Sequence, residues 1–209
     1  MNLVHFAQQG GIFMVPLIFL SLLSMAVGLE RTLYFANLHW GGDSFRNRLA
    51  GLLREGKEAE AVQWLQGLRG AVAGTALAGV KRWSRGRASI ENAMVAQSHR
   101  DQAALHRFLV VLETTVTASP LIGLLGTITG MMGVFRAVSA KIAENPQADT
   151  SSILAGIGEA LVATAAGILI AVVSLFVHNL FQRLAERQMD EAQDVANELV
   201  DLIDEKNCA

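Results

Sequence analysis

Cysteine is nearly missing from this chain of 209 residues: Cys208, beside the C-terminus, is the only one. No intrachain disulfide can form, and no Cys/His set has the spacing of a zinc site. The five histidines, His5, His39, His99, His106 and His178, are scattered. Only three prolines occur, so the chain is not built of stiff linkers. Charge is scarce as well, at 17%, against about 25% in an ordinary soluble domain. A net charge of −2 leaves no electrostatic footprint for nucleic acid. There is no P-loop, no GxSxG and no HExxH, so neither a nucleotide-driven pump nor a familiar hydrolase is expected. No metal or other cofactor is implied.

What is abundant is apolar residues, 52% of the chain, gathered in three windows. The first, Gly11–Gly28 (GIFMVPLIFLSLLSMAVG), carries no charge. Its 18 residues would rise about 27 Å as a helix, close to a hydrocarbon core of about 30 Å. A cleaved signal needs a basic start, and no Lys or Arg precedes Arg31. A retained helix is therefore expected, bent at Pro16. The second window, Phe108–Val138, holds Glu113 near its start and Arg136 near its end. The third, Ile153–Phe181, has Glu159 as its only acid. The expected fold is an all-α integral membrane protein with three transmembrane helices.

Charge asymmetry sets an expected orientation. Residues 31–107 contain twelve Lys/Arg against six Asp/Glu, while the 139–152 link has only Lys141 and the first ten residues have no Lys or Arg. The positive-inside rule puts the N-terminus outside and the C-terminus in the cytoplasm. The expected segments are a periplasmic tail 1–10, a first transmembrane helix 11–36 and a cytoplasmic helical region 37–107. A second helix 108–138, a periplasmic loop 139–152, a third helix 153–181 and a cytoplasmic C-terminal helix 182–209 follow. In the cytoplasmic region, Asp43 or Ser44 can cap a helix carrying Leu49, Leu52 and Leu53. Gly56 ends it, and a second helix carries Ala61, Trp64 and Leu65. That hairpin is too small for a sizeable core of its own. Ser89 can cap a helix that runs unpunctuated into the second window. The tail repeats Leu184, Gln188, Ala192, Val195, Leu199 and Leu202 at helical spacing. Long cytoplasmic extensions of the second and third transmembrane helices are thus expected. The 31–107 segment is net +6 (12 − 6) and the tail net −5 (3 − 8), which suggests that the two meet. The run Lys81, Arg82, Arg85, Arg87 around Trp83 reads as a solvated basic patch near headgroups, with RNA or lipid contact as the alternative.

Inside the membrane windows, small residues form stripes. Gly123, Gly126, Gly130 and Gly133 share one face of the second helix, with Thr127 beside them. Gly156, Ala160, Ala163, Gly167 and Ala171 form a stripe on the third. Glu159 and Thr164 border its two edges, about 140° apart. Small residues let helix backbones approach closely. An ionised acid at the bilayer centre costs about 3 kcal/mol. Glu159 therefore reads as a proton- or ion-path carboxylate, or else as a structural or snorkelling acid. Thr127 and Thr164 could equally bond carbonyls of their own helices.

Two segments carry a family resemblance. ASPLIGLLGTITGMMGVF (118–135) resembles the PLLGLLGTVxGM segment of the MotA/TolQ/ExbB proton-channel family, and IGEALVATAAGILIAV (157–172) resembles its second signature, IxEALxATAxGLxxAI. The first helix followed by Leu29-Glu30-Arg31 is similar to the start of ExbB and TolQ. Ser119 stands where the family usually has Ala. The resemblance covers nearly the whole chain and is closest to ExbB, with TolQ next; the MotA subgroup normally has a fourth membrane helix and a larger cytoplasmic domain, so a flagellar role is less expected. It implies a homo-oligomeric ring, generally a pentamer, around the membrane helix of an ExbD/TolR-like partner that carries an Asp. Proton flow would energise outer-membrane transport, indirectly through a TonB-like energy transducer, in the phospholipid of a bacterial inner membrane. By motif position Thr127, Glu159 and Thr164 would line the proton path, and Pro120 opens the second-helix signature. TolQ-like envelope maintenance is an alternative within the family. A membrane scaffold that recruits soluble proteins is an alternative of another class.

Overall fold

The structure is a computed structural model; it describes residues 11–144 and 151–208, and within the helices not the side chains of 137, 140–144, 151–155, 159, 207 and 208. Among the described residues it is entirely helical. Helix α1 is Met14–Ala36, α2 Asp43–Arg54, α3 Glu58–Gln66, α4 Ala71–Val80, α5 Arg87–His106, α6 Leu109–Glu144 and α7 Ser151–Cys208, with a 3-10 turn at Trp83–Arg85. Three helices are long and apolar enough to cross a membrane, over Met14–Ala36, Leu109–Arg136 and within Gly156–Lys206. The expected N-terminal tail 1–10 and residues 145–150 of the 139–152 link lie outside the described residues.

The chain divides into two compact units. An apolar unit takes the chain through Leu29 and Phe108–Asn179, and a charged unit takes Glu30–Arg107 and the chain from Leu180. In the apolar unit the large hydrophobics point outward: Phe19, Leu22, Met25, Leu121, Phe135, Leu161, Leu169 and Phe176 are exposed. Water would penalise such a surface, and lipid would not. Its interior holds Met14, Leu17 and Ala166, flanked by Ile122 and Ile170. Ser174 donates a buried hydrogen bond of 3.2 Å to Ser24, tying α7 to α1. Pro16, expected to bend α1, falls near its start. It sits in the first turn, where no intrahelical partner awaits its missing N–H.

The charged unit has a core that the sequence reading missed. Helix α4 (AVAGTALAGV) is small and apolar on nearly all faces, so it has no amphipathic period to reveal it. Seven of its ten residues are buried. A Cβ on Gly79 would come 2.9 Å from Met94 Sδ of α5 and 3.0 Å from Leu199 Cδ1 of α7, which shows how closely the three helices meet. Ala185, Gln188, Ala192, Val195, Leu199 and Leu202 of the tail are buried, so its apolar stripe packs into this core. Gln188 is fully buried, and its Nε2 donates to the His39 carbonyl at 3.1 Å. The small α2–α3 hairpin therefore shares a larger core rather than standing alone. Trp83 is buried too, which leaves the surrounding basic residues outside.

The expected polar caps are not used. Helices α2 and α5 follow Gly42 (φ 95°) and Gly86 (φ 86°), and neither Asp43, Ser44 nor Ser89 is the N-cap. Positive φ favours glycine at both places. Asp43 lies in the first turn of α2, where its carboxylate accepts from Arg46 at 2.6 Å. Loop and tail charges meet within the chain: Arg54–Glu205 at 3.2 Å, Lys206–Glu58 at 3.2 Å, Arg46–Asp194 at 3.7 Å, and Arg87–Asp204. These pairs are solvent-exposed, so they give register more than stability.

The expected continuous helix from the loop into the second window is also corrected. Helix α5 ends at His106, Arg107 is extended (φ −54°, ψ 135°), and Phe108 has φ 65°. The break coincides with the boundary between the units. Arg31, only 1% exposed, explains how the α5 end is satisfied. Its Nη1 donates to the carbonyls of Ala104 (3.2 Å) and Leu105 (3.3 Å), and Glu30 holds its other face at 2.5 and 2.8 Å. Its guanidinium lies 4.5 Å from the centroid of the Tyr34 ring. A cation on the last carbonyls is favourable because a helix end leaves them unpaired and partly negative.

Arg31→Met is expected to destabilise the detergent-solubilised protein by about 3 kcal/mol, since it strips charged hydrogen bonds from a buried site. Arg31→Lys should recover part of this in thermal denaturation. A second expectation concerns Asp101 of α5, whose Oδ2 is buried without a partner. Burial pushes its carboxyl above the usual range, opposed by the Gln97 hydrogen bond and by Arg100. A raised folded pKa contributes stability at low pH that is lost as pH rises through it. Asp101→Asn should therefore stabilise the protein at neutral pH, and the gain should vanish as pH falls through the carboxylate range. Denaturation midpoints across pH test this.

Candidate functional site

Helices α6 and α7 meet along their small residues in antiparallel register. A Cβ built on Gly123 would lie 2.9 Å from the Ala163 carbonyl and 2.9 Å from Thr164 Cα. One on Gly126 would lie 3.0 Å from Ala163 Cβ, and one on Gly130 2.7 Å from Ala160 Cβ. On the facing helix, Gly167 would meet the Ser119 carbonyl at 2.5 Å and Gly156 would meet Val134 Cγ2 at 2.7 Å. A substituent at Gly123 or Gly167 would thus collide with backbone, which cannot rotate away. Gly133 departs from the expected stripe: among the described residues nothing lies within 4 Å of its Cβ position, so the glycine contacts of α6 end at Gly130.

Pro120 lies inside α6. A proline there removes the N–H that would bond the carbonyl of residue 116. Around it, hydroxyls bond their own helix: Thr115 to the Val111 carbonyl at 2.9 Å and Ser119 to the Thr115 carbonyl at 2.7 Å. Thr115 and Ser119 are both fully buried. Ser119 was noted from sequence only as a departure from the family's Ala, and Thr115 and the Ser24–Ser174 pair were not singled out, because a lone hydroxyl in an apolar run shows no partner until the helices are placed.

The two threonines behave differently. Thr127 Oγ1 donates to the Leu124 carbonyl of its own helix at 2.7 Å. Thr164 Oγ1 crosses the seam and donates to the Gly123 carbonyl at 2.8 Å. That bond is available only because Gly123 lets the backbones touch. Both side chains are half-buried. The register (123 against 163–164, 126 against 163, 130 against 160) puts Thr127 at a level between Thr164 and residue 159. Glu159 lies on α7, and its side chain is outside the described residues. Each hydroxyl has its proton committed to a carbonyl, so it offers lone pairs outward. Among the described residues no three His, Cys, Asp or Glu gather as a metal would need.

Three apolar helices with outward-facing hydrophobics, packed through glycines and carrying a few hydroxyls, define a multi-pass membrane protein. The sequence profile of the MotA/TolQ/ExbB proton channel family matches residues 66–194. The chain is 29% identical over 192 residues to the biopolymer transport protein ExbB-like 3 of Synechocystis sp., covering 92% of this chain and 90% of that one. It is 31% identical over 193 residues to ExbB-like 1 of the same organism, covering 91% and 75%. It is 31% identical over 117 residues to the Tol-Pal system protein TolQ of Pseudomonas aeruginosa, covering 56% and 49%. The chain belongs to the MotA/TolQ/ExbB proton channel family, whose bacterial members reside in the inner membrane.

The seam can be probed by adding one methyl group at a time. Gly167→Ala should destabilise the protein by about 1–3 kcal/mol, because a backbone must move to admit the Cβ. Gly133→Ala should be neutral. Thermal denaturation of the two variants in one detergent makes the comparison.

Proposed function

We propose that this chain is an ExbB-like subunit of a proton-driven motor. Several copies, five by family resemblance, surround the membrane helix of an ExbD/TolR-like partner in the phospholipid bilayer. The motor energises outer-membrane transport through a TonB-like transducer. The charge distribution supports an N-terminus outside, with residues 37–107 and 182–209 in the cytoplasm. The observation that carries the reading is the hydroxyl of Thr164 held on the Gly123 carbonyl at a glycine-lined seam. One chain with two such hydroxyls and a single acid is too sparse for proton transfer across about 30 Å. A ring multiplies them around a shared lumen.

The chemistry assigned to the threonines follows from their committed protons. As acceptors, Thr127 and Thr164 favour a protonated partner carboxyl, which donates, over an ionised one, which cannot. Protonation of the partner's acid then decides whether it docks on this chain or leaves it, and Glu159 is the group assigned to exchange the proton. A TolQ-like role in envelope maintenance is the second reading, supported by the similarity to P. aeruginosa TolQ. The ExbB-like reading is preferred because its alignments run over most of both chains. A scaffold that recruits soluble proteins would leave the membrane acid and threonines replaceable.

Thr164→Val and Glu159→Gln are expected to abolish proton-gradient-dependent transport in cells lacking the native subunit, with the mass of the extracted complex unchanged. Thr164→Ser, which keeps the hydroxyl, should retain transport. Full transport in both the Val and the Gln variant would remove these residues from the path.

A further inference from the structure

Much of the charge that loop and tail carry is satisfied within the charged unit, and part of the remainder lies on two sides of one helix. Arg46, Arg54 and Arg87 pair with tail acids, whereas Lys81, Arg82, Arg85 and Arg100 make no ion pair among the described residues. Lys81, Arg82 and Arg100 edge a shallow groove of about 330 Å³, floored by small residues such as Ala96. On the other side of α5 lies the larger groove of about 610 Å³, between α5 and the tail part of α7. It contains Asp201, also without an ion pair, with Asn197 and the Arg87–Glu91 ion pair at 2.7 Å. Positions 87, 91, 95 and 98 face that groove, about 165° around the helix from 93, 96, 97 and 100 at 100° per residue.

Two features of the larger groove look unfinished. Val95 is 57% exposed there, and the Thr75 hydroxyl, on a residue only 2% exposed, has no hydrogen-bond partner among the described residues. Lys81 and Arg82 of the basic edge lie toward the same end of the unit as the last residues of the tail. The Trp83 ring beside the basic corner is 5.8 Å from Lys206 Nζ, and Arg87 pairs with Asp204. Complementary charges on opposite sides of one body cannot meet within that body. They can meet head-to-tail between copies, and a repeated head-to-tail contact closes into a ring when its rotation allows.

We propose that the occupant of the α5–α7 groove is a second copy of this chain. Its basic edge, Lys81, Arg82 and Arg100, lies against Asp201, and small residues around Ala96 cover Val95. The proposal rests on the homo-oligomeric reading above and assigns the surface that joins the copies outside the apolar helices.

The test uses full-length chains in their membrane. One chain carries Ala96→Cys and another Asn197→Cys, both in a Cys208→Ala background, and the two are co-produced and oxidised. The expected result is a disulfide-linked dimer of the two chains. Its yield should fall at least about tenfold with Arg82→Glu on the first chain or Asp201→Lys on the second, because like charges then face each other. It should return when both substitutions are present. The mass of the extracted wild-type complex is measured alongside. An oligomer that forms no such link, or a link indifferent to the charge swaps, overturns this surface while leaving the ring. A monomeric wild-type chain overturns the ring itself. Loss of binding to phosphatidylglycerol vesicles on Arg82→Glu and Arg100→Glu, with no link, gives the basic edge to headgroups and overturns the proposal.

Discussion

The contact of the α6 backbone with the α7 backbone is the constraint on which the apolar unit depends. Lipid offers no hydrophobic force to push helices together, so close packing and hydrogen bonding between helices must hold them. Gly123, Gly126 and Gly130 on one side, and Gly156, Ala160, Ala163 and Gly167 on the other, bring the two helices near enough that a single added methyl would strike a carbonyl or a Cβ. The same closeness lets Thr164 spend its proton on a carbonyl of the neighbouring helix. Packing and chemistry are thus one feature. A larger residue at Gly123 would cost both the fit and the orientation of the hydroxyl.

The charged unit is organised by a different kind of interaction. A buried cation, Arg31, terminates α5 by taking its last carbonyls, and its own charge is balanced by Glu30. Around it the core depends on a helix, α4, so rich in small apolar residues that it packs on nearly every face. The tail of α7 completes that core with an apolar stripe and leaves its acids at the rim, where several meet the loop's arginines. Glu191 of the tail, with one buried oxygen lacking a partner among the described residues, is an exception to this separation, and Asp101 is another. It is a carboxylate held against Gly74 with one oxygen unpartnered, and it stays there at a cost that burial imposes.

Much of this was legible from residues alone. Three apolar windows announced the three membrane helices because length and the absence of charge are sufficient evidence of a span. The glycine stripe, with Thr127, Glu159 and Thr164 beside it, could be placed by helical periodicity. Caps were misread because the sequence offers Asp43, Ser44 and Ser89, whereas the fold uses Gly42 and Gly86. Helix α4 escaped notice because it lacks a polar face. The break at Arg107–Phe108 carries no Gly or Pro, so no local signal could announce it.

By itself the sequence determined the class of protein, the number of spans, the family and the small faces on which helices could meet, because each follows from local composition, spacing or motif. The tertiary structure alone decided which glycines touch (Gly130 but not Gly133), that Thr164 bonds across the seam while Thr127 bonds within its helix, and that Arg31 ends α5. Those outcomes depend on residues far apart in the chain. A hydroxyl, a guanidinium or a missing Cβ acquires its role only when a distant backbone arrives within about 3 Å of it.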